Sequence, residues 1–295
     1  MKILINRAPI DGPWGGGNNF VSAFVDVLST NGHEIVHSFE PEIDILFIQD
    51  PRPDSSGISI NEIVQYKSKN PNSKIVQRIN ECDARKNTEH MDSLLLQCSQ
   101  FLDKTIFVSD WMKDYFLKKG WKCNNNFSLH NGVNKEIFIE KKSKKSDLKS
   151  VVAHHWSNNL LKGFDAYEFL DYLAGKGLIK FTYIGRHRGS FDNTELIEPC
   201  HGEKLAKELA GHDVYISGSR FDPGPNHILE ALAVGLPAYV HANGGGAVEF
   251  AGKSHTFKNL AELEKLILNK NFKKNEYDPI TWKECIENYL KVLEK

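Results

Sequence analysis

Asp222 and Glu230 stand at the two ends of a turn whose residue types suit a phosphate or a polar sugar face. The apolar run Val214-Tyr215-Ile216 reads as a short buried strand. Asp222-Pro223-Gly224-Pro225 cannot prolong it, because both prolines lack an amide hydrogen and fix φ. From Asn226 the spacing turns helical, with Ile228, Leu229, Leu232 and Ala233 on one buried stripe. The expected path is strand, tight turn, helix, and the turn carries Gly224, Pro225, Asn226 and His227. A helix start offers amide donors and a partial positive charge to an anion. Glu230 follows Asp222 by two turns, so two carboxylates flank one pocket. The bland alternative is an ordinary αβ connection whose acids cap and solvate the helix; the whole run, with Pro-Gly-Pro-Asn-His inside it, favours a site.

The elements that must position this turn follow from alternation along the chain. Short β-rich runs alternate with helical patterns from end to end, the pattern of parallel sheets with crossover helices. Strands are expected at 3–6, 34–37, 43–48, 74–79, 104–108 and 127–130, with helices near 18–30, 59–68, 88–102 and 111–119, the last capped by Ser109 or Asp110. Residues 135–149, rich in lysine and serine, have little to bury and read as a solvated linker rather than an anionic-lipid patch. The alternation restarts with a strand at 150–154, a helix at 163–174, a strand at 180–184, a helix at 203–209 and a strand at 213–216. The Asn226–Val234 helix, a strand at 237–240 and a helix at 260–268 complete it. The fold class is therefore α/β: two doubly wound domains, 1–134 and 150–277, facing across a cleft. A final segment, 278–295, carries Trp282, Ile286, Tyr289 and Leu293 at helical spacing. In such sheets ligands gather at the carboxyl ends of strands.

At this point the chain resembles a known family. An acid, seven residues, Glu, then Ala-Leu-Ala-Val-Gly-Leu-Pro is similar to the donor motif of retaining GT-B glycosyltransferases of the family-4 group, with Asp222 where Glu is usual. The resemblance implies that Asp222 and the turn Gly224-Pro225-Asn226-His227, through the amides of its non-proline residues, hold the donor sugar, while Glu230 binds ribose hydroxyls. His154 to Asp165 resembles the family's Arg-(four residues)-Lys-Gly element, whose cations neutralise the donor diphosphate. Lys162-Gly163 matches, Ser157 replaces the arginine, and Arg186 or Arg188 is the candidate substitute cation, although both also read as exposed loop residues. Gly12 to Asn19, including Gly15, Gly16 and Gly17, resembles the loop that reaches the diphosphate and borders the acceptor pocket. Gly244-Gly245-Gly246-Ala247-Val248-Glu249 resembles a shaped turn beside the pocket. On the acceptor side the candidates are Asn80, Glu81, Asp83 and Ser109; a structural salt-bridge network reads equally well there, and Asn80 and Glu81 replace a usual His. The resemblance also implies that the final helix crosses back onto the first domain, and that Asp222, Glu230 and Lys162 carry the chemistry.

The expected activity is transfer of a sugar from a nucleotide-diphosphate sugar to a hydroxyl acceptor with retention, with no required cofactor and no metal. The pair His154-His155 would point to opposite strand faces, which argues against a metal there. A net charge of −1 gives no field to recruit nucleic acid. Five scattered cysteines are expected to be reduced. Met1-Lys2-Ile3-Leu4-Ile5 is too short an apolar run for a signal peptide, so the cytoplasm is expected, with peripheral contact to the inner membrane face left open. Two other readings stand beside this one: a sugar-nucleotide epimerase of the same fold, and an inactive sugar-nucleotide-binding module.

Overall fold

Strands joined through helices cannot pair as hairpins; they pair in parallel, and both halves of the chain do so. The computed structural model describes residues 1–10, 15–53, 57–140 and 148–295. It divides into two units, Met1–Gly132 with Ile280–Lys295, and Val133–Pro279.

The first unit runs β1 (Lys2–Ile5), α1 (Gly16–Thr30), β2 (Glu34–Val36), β3 (Ile45–Ile48), α2 (Ile60–Lys69), β4 (Lys74–Ile79), α3 (Asp83–Lys86), α4 (Met91–Cys98), β5 (Lys104–Phe107), α5 (Asp110–Lys118) and β6 (Asn126–Ser128). Its sheet has the order β2-β1-β3-β4-β5-β6, parallel throughout. The second unit runs β7 (Lys149–His155), α6 (Phe164–Gly175), β8 (Ile179–Gly185), β9 (Glu195–Ile197), α7 (Gly202–Leu209), β10 (Val214–Ser217), α8 (Asn226–Ala233), β11 (Ala238–His241), α9 (Ala247–Ala251), β12 (Thr256–Phe257) and α10 (Leu260–Asn269). Its order is β12-β11-β10-β7-β8-β9, again all parallel. The chain leaves β7 toward β8 and β9, then returns to the other side of β7 at β10. That reversal opens a crevice at the carboxyl ends of β7 and β10. The first sheet reverses in the same way between β1 and β3.

Helix α11 (Trp282–Leu293) belongs to the first unit. A capping box of Thr281 and Glu284 starts it. It buries Ile286, Tyr289 and Leu293 with Phe20, Phe24 and Phe47, and the buried Lys104 donates to the Val292 carbonyl near its end at 2.7 Å.

Two expectations are corrected. The helix expected near 88–102 starts three residues late, at Met91, where the Asp83 carboxylate accepts from the amides of Met91 and Asp92; a separate short helix, α3, precedes it and ends at Asn87, which turns left-handed (φ +55°). Residues 135–149 are not solvated throughout, because Phe138 is buried in the second unit's core and β7 begins at Lys149; 141–147 lie outside the described residues. The glycines at 244–246 form a turn that leads directly into α9. Among the described residues no helix is long and apolar enough to cross a membrane.

Candidate functional site

The loops after β7 and β10 are fastened to each other at their glycines. Gly163 has φ +82°, and a Cβ there would lie 2.1 Å from the Gly218 carbonyl oxygen. The Arg220 amide donates to the Leu161 carbonyl at 2.8 Å, and the Gly218 amide donates to the Tyr167 hydroxyl at 3.0 Å. Only a residue without a side chain fits this backbone approach, which is why glycine follows Lys162. The junction brings Lys162 Nζ to 2.7 Å from Asp222 Oδ2, both side chains largely buried. The glycine turn then holds the acid's backbone: Gly246 donates to the Asp222 carbonyl at 2.8 Å, and Gly245 (φ +68°) would place a Cβ 2.7 Å from that same oxygen. Helix α8 starts four residues beyond Asp222, with Pro225 in the cap position.

One α8 turn further in, Glu230 Oε2 lies 2.9 Å from His154 Nε2, at the end of β7. His154 packs on Tyr215 and His155 on Tyr167, so the two rings do point to opposite faces of the sheet. His227, from the first turn of α8, covers the sheet's end and meets both, with ring centroids 6.0 Å from His154 and 4.6 Å from His155. Its Nε2 is 3.1 Å from Ser217 Oγ. Burial, reinforced by the neighbouring His227 and Lys162, pushes His155 well below the ordinary histidine range. His155 is therefore neutral near pH 7. The Nδ1 atoms of His154 and His155 and the Ser219 hydroxyl are buried without a hydrogen-bond partner among the described residues. By residue type His154 reads only as half of an improbable metal pair; its place at the end of the strand bordering the switch point is the signal that points to this site.

Other expected residues are placed less centrally. The Ser157 hydroxyl accepts from the Asn159 amide at 3.3 Å. Arg186 is exposed, its guanidinium 4.6 Å over the Trp156 ring. Gly224, Pro225 and Asn226 form the turn into α8. In the first unit Gly15 occupies the cap position of α1, and Gly16 and Gly17 form its first residues; Gly12 to Trp14 lie outside the described residues. Ser109 is fully buried and caps α5 by accepting from Met112, and Asp83 caps α4. Asn80 and Glu81 instead border a cavity of about 380 Å³, made entirely by the first unit. It opens at the carboxyl ends of β1, β3 and β4, beside the start of α1.

No family model and no curated protein matches the sequence. Solved structures do match. The Anabaena protein HepE in complex with UDP is 14% identical, with 100% of each chain covered and a TM-score of 0.71. Sucrose-phosphate synthase from Thermosynechococcus elongatus is 12% identical over 99% of this chain and 94% of its own, with a TM-score of 0.64. WaaG, a glycosyltransferase involved in lipopolysaccharide biosynthesis, is 11% identical over 99% of this chain and 95% of its own, with a TM-score of 0.64. The fold is GT-B. At the switch point of its second unit, this GT-B chain presents two polar pairs side by side, Lys162 with Asp222 and His154 with Glu230.

Proposed function

We propose that the chain is a glycosyltransferase that moves a sugar from a nucleotide-diphosphate sugar to a hydroxyl acceptor with retention of configuration. The observation that carries this reading is the meeting of Lys162, Asp222, Glu230 and the start of α8 at one switch-point crevice. Glu230 uses one oxygen on His154 and keeps the other to accept a ribose hydroxyl. Asp222 occupies one of the three ammonium donors of Lys162 and aims the rest. Departure of the nucleotide develops negative charge on the β-phosphate, and Lys162 with the α8 dipole would stabilise it. The departing phosphate can itself take the acceptor's proton, so no protein base is required. Asp222 and the turn from Gly224 to His227 would hold the donor sugar, with Ser157 and Arg186 toward the phosphates. The glycines at 15–17 and the residues Asn80 and Glu81 would serve the acceptor side.

HepE is solved with UDP and with UDP-glucose, which makes these the first ligands to try. Five free cysteines accord with a reducing compartment, and the same reading places the protein in the cytoplasm. UDP at a hundred times its dissociation constant should stabilise the protein by about 2.7 kcal/mol. Glu230→Ala should lose most of that stabilisation while remaining folded. Unchanged UDP affinity in folded Glu230→Ala protein would count decisively against the assignment.

A further inference from the structure

We propose that the cavity of the first unit takes an acceptor carrying its own anion, a phosphate or a carboxylate, with Arg78 as the anchoring cation. The word acceptor rests on the glycosyl-transfer reading above; the anion site does not. Arg78 is 2% exposed and borders the cavity. Its Nη2 donates to Asn131 Oδ1 at 2.7 Å, its Nε to the Tyr289 hydroxyl at 3.2 Å, and its Nη1 reaches Gln49 Oε1 only at 3.5 Å. Phe20 lies under the guanidinium at 4.1 Å. Every one of these partners is neutral, and no carboxylate among the described residues pairs with Arg78. A buried cation without a counter-charge carries an uncompensated desolvation penalty. Five donors against three acceptors also leave N–H groups over.

The carboxylates of the cavity do not answer this charge, because each is already held. Asp50 pairs with Arg52 and lies 3.8 Å from Arg7. Glu81 pairs with Arg85 at 3.0 Å and Lys86 at 2.8 Å. Among the described residues, neither carboxylate that lines the cavity pairs with Arg78. The Asn80 carboxamide hydrogen-bonds to no described residue and can serve a ligand hydroxyl. A planar guanidinium with open donors, next to an open carboxamide, matches a sugar bearing one anionic group better than a neutral one. The volume is in the range of small-molecule sites.

Calorimetric titration of the full chain with glucose, glucose 6-phosphate, glucuronate and inorganic phosphate, each with and without UDP, tests this. The expected result is at least ten-fold tighter binding of an anionic sugar than of glucose, weakening as salt rises, and persisting when UDP is bound. Arg78→Gln should remove the preference and leave UDP affinity unchanged. The comparison of anionic with neutral sugar needs no variant, so it stands even if Arg78→Gln fails to fold. Equal affinities for glucose and both anionic sugars would overturn the proposal. So would inorganic phosphate binding as tightly as the sugar phosphate, or displacement of the anionic sugar by UDP, which would assign the anion to the donor. Anion preference without any UDP binding would overturn the transfer reading and leave the anion site standing.

Discussion

The ammonium of Lys162 is committed before any ligand arrives. It shares a largely buried pair with Asp222, 60 residues away in sequence. Removing one member of such a pair strands the other's charge, at a cost of about 3–5 kcal/mol. Lys162→Ala should therefore lower the melting temperature as well as turnover, and Asp222→Asn added to it should restore much of the stability but none of the turnover. Melting curves with a donor-hydrolysis assay check this; a Lys162→Ala protein as stable as the wild type would mean the pair is not formed. The spacing of acid, Glu and Lys-Gly made these residues legible one at a time. Their pairing was not legible, because it depends on how two distant loops meet. Asp83 and Ser109 show the converse. Both have the right type and place for ligand contact, yet their side chains satisfy helix-start amides, an alternative that residue type cannot distinguish.

At the level of elements, the periods of the apolar residues were enough for two parallel sheets, and they failed where side chains intervene. The helix expected over 88–102 starts late, at Met91, because Asp83 takes the first amides of α4, and the three- and two-residue edge strands β9 and β12 are too short to show a period. The loop junction at Gly163 and Gly218 matters most for the site, since it sets the distance from β7's loop to Asp222. Alanine at 163 would have to adopt φ +82° and move a carbonyl that lies 2.1 Å from its Cβ. The conformational cost alone is about 1–2 kcal/mol, and displacement of the Gly218 backbone adds to it. Gly163→Ala is therefore expected to lower the unfolding midpoint and weaken UDP binding together. Gly177→Ala has a similar positive φ but open space around the Cβ, so it should cost stability while leaving UDP affinity intact. Equal UDP affinity in both variants would show that the junction does not shape the site.

Across the whole molecule, the buried histidines are segregated: His154, His155, His212, His227, His241 and His255 all lie in the second unit, and none of the described histidines of the first unit is buried. Burial pushes His212 down to about 4, lowers His241 and holds His155 well below its usual range. A histidine with a lowered folded pKa is neutral in both states above about pH 6.5, so it costs nothing there. As pH falls through 6.5 the unfolded chain takes up a proton that the folded chain refuses, and stability drains until the folded pKa is reached. For His212 that window runs from about 6.5 to about 4 and is worth roughly 3 kcal/mol, with His155 and His241 adding in the same direction. Mild acid should therefore unfold the second unit first. Scanning calorimetry at pH 7.5 and pH 5 would show it: the transition that UDP raises at pH 7.5 should be the one that falls most at pH 5. His212→Asn should flatten its dependence on pH. If acid instead lowers the other transition, or neither, His155, His212 and His241 are not held neutral in the folded protein.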